Sequence, residues 1–371
     1  MLIPDDLETP CAVVDLDRLD RNLAKMSAEA AAAGVALRPH AKTHKCLEIA
    51  GRQLALGAAG LTVATLAEAE AFAAAGCHSV FIAYPFWAGG ADRAARLKAL
   101  AARIDLRVGV DSIAAAEALA KAAPGVRVLI EIDSGQHRSG VLPSEVAPLA
   151  TACLALGLSL TGAFTHPGHA YGSADTVQGR SDRGEFTAAL MNGAAAAAAD
   201  ERLALSAAGT VLASLVSGPL ELSGGSSPTA AAGLSGPLTE VRPGTYVFGD
   251  RQQTYLSGLD PDDVALVIAA RVVSAPRPGE AILDAGTKAL SSDRAAWLTG
   301  HGLILEAPEA TIVSLNEEHA VVRGISESVL TVGDLVRVIP NHVCSVVNLF
   351  SSLAVVRDGT LTDRWPVVAR R

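Results

Sequence analysis

The sequence predicts an α/β fold: a (β/α)8 barrel of the TIM type, followed by an all-β domain. Three observations predict it. Short, continuously apolar runs alternate with alanine-rich helical stretches up to residue 250, and this alternation means a parallel sheet covered by helices. The runs show no polar alternation, as befits strands buried on both faces. After Asp250 the texture changes to β-rich segments separated by Gly, Pro and Asp turns.

The elements follow in order. Leu16, Leu19, Leu23, Met26, Ala30 and Ala33 recur at helical spacing, with Asp15 or Asp17 placed to cap the start and Gly34 to end it. Apolar runs at 35–39, 61–64, 80–83, 106–110, 126–132, 160–164, 220–222 and 238–241 supply the barrel strands. Helical stretches at 66–75, 91–102, 112–123, 144–156 and 183–208 separate most of them. Beyond residue 250, VALVIAARVVSA, AILDAG, ATIVSL, HAVVRG, DLVRVIP and SLAVVRDG read as strands of a barrel or sandwich. The expected domains are 11–250 for the barrel and 251–371, together with 1–10, for the β domain.

Composition narrows the function. The 371 residues carry 30 basic and 39 acidic side chains, a net charge of -9, with no basic stripe. That argues against nucleic acid as a partner. Mean hydropathy is +0.33, yet no run approaches the roughly 20 apolar residues of a membrane span. The opening MLIPDDLETP has no basic region followed by an apolar stretch, so no signal peptide is expected. Five dispersed cysteines do not form a disulfide framework. A soluble cytoplasmic protein is the expectation.

Chemistry concentrates in three stretches. RPHAKTHK places Arg38, His40, Lys42, His44 and Lys45 directly after the first barrel strand, where barrel active sites lie. Neighbouring cations and partial burial disfavour the ammonium form of Lys42, and Schiff-base chemistry requires a free amine. The plainer reading is a solvated basic loop. SGGSSPT offers Gly224, Gly225, Ser226, Ser227 and Thr229 after a late strand. Its backbone N–H groups suit a phosphate, although such a loop is usually only a loop. PNHVC places His342 and Cys344 two residues apart, on one side of an extended segment, and imidazole plus thiolate suits zinc. The plainer reading there is a buried cysteine beside a hydrogen-bonded histidine. Softer candidates are Glu131, Asp133 and Arg138; His166, His169 and Tyr171; Arg242, Gly244, Thr245 and Tyr246; and Asp284, Gly286 and Lys288. Cys11, Cys46, Cys77 and Cys153 read as small buried hydrophobes.

Taken together, the segments ETPCAVVDLDRL, RPHAKTHK, EIDSGQHRSGV, THPGHAY, SGGSSPT, TEVRPGTYVFGD, ILDAGTKALS, NEEHAVV and PNHVC span nearly the whole chain. In that order and spacing they resemble the D-serine dehydratase / D-threonine aldolase family. This is the fold-type III group of pyridoxal 5'-phosphate (PLP) enzymes, related to alanine racemase. The resemblance implies a PLP-binding barrel, a C-terminal β domain and a homodimer with active sites at the interface. It implies that Lys42 carries the cofactor and acts in catalysis. It also implies that the SGGSSPT loop holds the phosphate and that Arg138 contacts the cofactor ring. His40, His169, Tyr171 and Tyr246 would belong to the cofactor pocket. His342 and Cys344 match the metal pair, for zinc or another divalent cation.

His-x-Cys resembles the dehydratase branch, whereas the bacterial aldolase branch resembles His-x-Asp. THPGHAY and SGGSSPT also resemble the dehydratase side. Ser345 departs from the pattern by standing where a proline often follows the cysteine. The implied activity is a zinc-assisted β-elimination from a β-hydroxy D-amino acid such as D-serine, D-threo-3-hydroxyaspartate or D-threonine. The products would be a 2-oxo acid and ammonia. The alternatives are a D-threonine-type aldolase, an amino-acid racemase and a non-catalytic PLP-binding protein.

Overall fold

The computed structural model describes residues 1–172, 175–180, 182–326 and 330–370. Its strands, in chain order, are β1 (Cys11–Asp15), β2 (Ala36–Leu37), β3 (Leu61–Val63), β4 (Ser79–Pro85), β5 (Asp105–Val110), β6 (Arg127–Glu131), β7 (Ser159–Phe164), β8 (Glu221–Gly224), β9 (Glu240–Val241), β10 (Leu266–Ser274), β11 (Glu280–Leu283), β12 (Leu303–Ile304), β13 (Thr311–Leu315), β14 (Ala320–Arg323), β15 (Leu335–Ile339), β16 (Ser352–Arg357) and β17 (Thr360–Pro366).

Strands β2 to β9 form one parallel sheet in the order β2-β9-β8-β7-β6-β5-β4-β3. A parallel bridge between His40 and Thr62 joins its two ends, and the Thr62 N–H donates to the Pro39 carbonyl at 2.8 Å. The sheet therefore closes into a barrel. Every apolar run expected to be a barrel strand is one. Helices on the outside bury Leu66, Phe72, Leu97, Leu119, Leu149 and Leu205 against the strands in one continuous core. Inside, Phe81, Leu129 and Phe164 pack together, fully buried. Gly109 makes room for Phe164, since a Cβ there would lie 2.7 Å from its ring.

The barrel floor is ionic. Arg38 pairs with Glu240 at 2.6 Å, and Arg107 with Glu240 at 3.0 Å and Glu221 at 2.7 Å. Arg127 pairs with Asp105 at 2.6 Å and also with Glu221. Asp105, Arg127, Glu221 and Glu240 are the first residues of their strands. In such barrels that end serves stability rather than chemistry.

The remaining strands form a nine-stranded sheet. It contains β1, which lies antiparallel to β10 and parallel to β16. The expected boundary at residue 11 is therefore corrected. Residues 11–15 are a central strand of the second sheet, with Ala12, Val13 and Val14 fully buried. The chain then enters the barrel layer through the helix Leu16–Ala32, whose start is capped by the Asp15 side chain accepting from the Arg18 N–H. The apolar pattern CAVVD is too short to announce which sheet it joins. Among the described residues, no helix is long and apolar enough to cross a membrane.

Candidate active site

A cavity of about 790 Å³ opens at the C-terminal ends of the barrel strands. The β domain closes one side of it with Asp293, Arg294, His342, Cys344, Ser345 and Asn348. From the barrel come His40 and Lys42 after β2, Gln136 and Arg138 after β6, and His166 and Tyr171 after β7. Gly225, Ser226 and Ser227 follow β8, and Arg242, Gly244 and Thr245 follow β9.

The RPHAKTHK stretch divides into separate roles. Arg38 is fully buried and points inward to Glu240 in the floor network. His44 spends both ring nitrogens on structure. Its Nδ1 accepts from the Cys46 N–H at 3.1 Å, and its Nε2 lies 3.2 Å from Gln53 Oε1. Burial lowers its pKa to about 4. Lys45 lies 3.3 Å from Glu68 and donates to Asn348 Oδ1 at 2.7 Å, fastening the barrel loop to the β domain. Lys42, in the turn Ala41–Thr43, has no hydrogen-bond or ion-pair partner among the described residues and faces the cavity. His40 has a buried Nδ1 without a partner. Burial, with Lys42 next in order, lowers the pKa of both His40 and His166, so both imidazoles are neutral.

Arg242 forms the cationic base of the cavity. It donates to the Thr165 carbonyl at 2.6 Å and to Ser223 Oγ. Its guanidinium lies over the rings of Phe81 and Phe164, 5.5 and 5.4 Å from their centroids. Arg138 is half exposed and reaches Glu131 at 3.7 Å. In the glycine loop, Gly225 has φ +83°, and a Cβ there would lie 2.3 Å from Val241 Cγ2. A Cβ on Gly224 would meet Glu201 Oε1 at 2.3 Å. The positive φ requires glycine at 225, while a Cβ at 224 would displace the Glu201 and Leu238 side chains. Ser226 then caps the short helix Ser227–Ala231.

His342 and Cys344 do come together, but not on an extended segment. His342 precedes the short helix Val343–Val347 and Cys344 lies inside it. The buried Asp250 carboxylate fixes this start: it accepts from the Val343 N–H at 3.0 Å and from the Gln253 N–H at 2.9 Å. Cys344 Sγ lies 3.2 Å from Thr43 Oγ1, in the same turn as Lys42. Burial opposes ionisation of the Cys344 thiol, but the His342 and Lys42 charges and the Thr43 hydroxyl outweigh it and lower its pKa. Burial likewise opposes charge on His342. The Cys344 and Asp293 anions outweigh it and raise the imidazole to about 11. Among the described residues, no group of three His, Cys, Asp or Glu side chains converges as a metal cage.

Four expected pocket residues do not line the cavity: His169, Gly224, Thr229 and Tyr246. The His169 Nε2 lies 3.4 Å from Asp200 Oδ2. Thr229 closes the capping box with Ser226, and the Tyr246 hydroxyl accepts from Gln53 Nε2 at 3.0 Å. Asp284 and Lys288 are also structural. Asp284 bonds Thr9 and the Arg271 N–H, while Lys288 pairs with Glu317 and Glu318 at the surface. Asp293, a few residues further on, was missed. A serine-rich turn with a single Asp carries no signal that it will touch His342 and Ser345, which lie at and inside the short helix Val343–Val347.

The pattern of the alanine racemase N-terminal domain matches residues 14–252, and that of the serine dehydratase domain matches 265–356. The chain is 35% identical over 382 residues to the D-threo-3-hydroxyaspartate dehydratase of Delftia sp. (strain HT23), covering 96% of each. It is 35% identical over 373 residues to the D-threonine aldolase of Arthrobacter sp, covering 98% of this chain and 93% of that one. The solved structure of the Delftia sp. HT23 dehydratase matches with a TM-score of 0.87 at 32% identity, covering 99% of both chains. A D-threo-3-hydroxyaspartate dehydratase with a cysteine replaced by alanine has been solved in a metal-free form. The chain belongs to the D-serine dehydratase / D-threonine aldolase family of fold-type III pyridoxal-phosphate enzymes, which share their N-terminal barrel with alanine racemase.

Proposed function

We propose that this protein is a PLP- and zinc-dependent lyase that removes water from a β-hydroxy D-amino acid, with D-serine or D-threo-3-hydroxyaspartate as substrate. The observation that carries the reading is the approach of the His342–Cys344 pair to the turn of Lys42, with Thr43 Oγ1 3.2 Å from Cys344 Sγ. A nitrogen and sulfur donor pair thus approaches the turn of Lys42, which lines the cavity and has no partner among the described residues.

The residues fit the cofactor. Lys42 is an amine placed in the cavity to join an aldehyde. Ser227, the first residue of the short helix after the glycine loop, would offer its backbone N–H to a phosphate, while the Gly225 and Ser226 N–H groups are held by Glu201 and Thr229. The residues also fit a borderline-soft divalent ion. Two donors leave positions for substrate, as in a catalytic rather than a structural site. PLP, when bound, supplies an electron sink for the bonds at Cα. Zinc, when bound, supplies Lewis acidity to the β-hydroxyl, an otherwise poor leaving group.

The chain's own groups do the rest. Lys42 holds the cofactor and then takes the Cα proton of the substrate. Arg242 keeps a fixed positive charge beneath the site, and the neutral His40 and His166 add no further charge that would compete for substrate anions. Tyr171, against Cys344 and Asp250, has its phenol pKa raised by burial first and by those anions next, so it stays protonated as a donor toward the departing oxygen.

An aldolase is the second reading, favoured by the similarity to the Arthrobacter aldolase over 98% of this chain. It uses the same residues but breaks Cα–Cβ. The lysine assignment is tested with Lys42→Ala. That variant should lose both the cofactor's visible absorbance and all turnover of D-serine, D-threonine and D-threo-3-hydroxyaspartate. Survival of both would refute it.

A further inference from the structure

Asp293 and Ser345 are used by no step above, yet they meet at the metal pair. The Asp293 Oδ2 atom lies 2.7 Å from His342 Nδ1 and accepts from Ser345 Oγ at 2.6 Å. A carboxylate oxygen only accepts, so His342 Nδ1 carries a proton, and Nε2 is the ring nitrogen left to give up its own proton to a divalent cation. We propose that Asp293, held by Ser345, is the positioning residue that fixes this tautomer and ring orientation, so that His342 Nε2 and Cys344 Sγ present one binding face to a divalent cation.

The inference deepens the zinc reading and rests on it. Asp293 comes from the loop after the helix Thr287–Leu290, whereas His342 and Ser345 come from the segment after β15. The carboxylate therefore cross-links two loops of the β domain. On the far side of the same segment, Asp250 holds the Val343 N–H. The imidazole is thus fixed by its ring nitrogen and by its following peptide at once. Ser345 matters because it occupies the same carboxylate oxygen. Its hydroxyl restrains Asp293 against rotation, which a proline at this position, with no hydroxyl, would not do. Carboxylate partners of this kind typically change metal affinity by about 10- to 100-fold.

The test is the Zn²⁺ dissociation constant of the PLP-loaded protein, measured by competition with a chromophoric chelator. It is run for the wild type and for Asp293→Ala, Asp293→Asn, Ser345→Ala, His342→Ala and Cys344→Ala, with melting curves alongside. Asp293→Ala should bind Zn²⁺ about 10- to 100-fold more weakly than wild type, with a melting curve that stays cooperative and shifts only slightly. Asp293→Asn keeps an acceptor for Nδ1–H and should recover much of that loss. Ser345→Ala should weaken binding in the same direction by less. An Asp293→Ala constant within about twofold of wild type would overturn the assignment. So would loss as complete as in His342→Ala, which would make Asp293 a ligand, or an Asp293→Asn variant no better than Asp293→Ala. If wild type and Cys344→Ala bind Zn²⁺ alike, the zinc reading itself fails, and the proposal with it.

Discussion

Single residues in this chain are decided by what surrounds them, and Glu201 shows how far that goes. It is a buried carboxylate behind the glycine loop, accepting from the Gly225 N–H. Burial raises its pKa to about 7, against weaker lowering by that N–H, Arg242, Arg202 and Thr229. In the unfolded chain the same group titrates near 4.3. The fold therefore favours the neutral acid. The stability this gives is complete below the unfolded value and is lost as pH rises through about 7. Glu201→Gln keeps the acceptor but removes the titration. Its melting temperature should gain on wild type between pH 5 and pH 8, by an amount worth at most ~3 kcal/mol. Parallel curves would refute this. Glu131 is also raised to about 7, mainly by burial, but it is common to both proteins and cancels.

The same dependence limits what sequence conveys at this scale. His40 and His44 are four residues apart in RPHAKTHK. One faces the cavity with an unpartnered nitrogen, while the other bonds Cys46 and Gln53 in the core. Nothing in residue type separates them. The direction of each side chain does, and the turn Ala41–Thr43 sets that direction.

At the scale of elements, much was legible. Strands buried on both faces read as short apolar runs, and all eight barrel strands were marked by them. The first helix start was legible because Asp15 stands before the apolar stripe, and in the structure Thr65 and Ser112 cap later helices in the same way. Two features were hidden. The strand Cys11–Asp15 pairs with Leu266–Ser274 and Ser352–Arg357, far along the chain, and apolar pattern carries no partner information. The helix Val343–Val347 is a single turn of β-branched residues around Cys344, a sequence that favours strand. Its start is imposed by Asp250 from another element. The floor of the barrel was equally unannounced, because Arg and Glu at strand starts look solvated until the barrel closes. Glu240 touches two arginines there and is buried. Glu240→Gln should cost about 3–5 kcal/mol in denaturant unfolding, as when one partner of a buried ion pair is removed. A loss below about 1 kcal/mol would show that the network is dispensable.

Across the whole molecule, the site exists because the two sheets meet. The barrel supplies Lys42, Arg242 and the glycine loop, and the β domain supplies His342, Cys344 and Asp293. Each half alone offers a plain reading, as a basic loop or as a cysteine beside a histidine. The contact between Thr43 and Cys344 joins them into one constellation. The central claim is that this constellation eliminates a β-hydroxyl with the help of a metal ion. Its most direct test is product analysis on the PLP-loaded protein with D-serine and D-threo-3-hydroxyaspartate, after exhaustive chelation and again after Zn²⁺ is restored. The predicted result is a 2-oxo acid and ammonia in equal amounts, abolished by chelation and recovered with Zn²⁺. Undiminished turnover in the chelated protein, or glycine and an aldehyde in place of the 2-oxo acid, would contradict it.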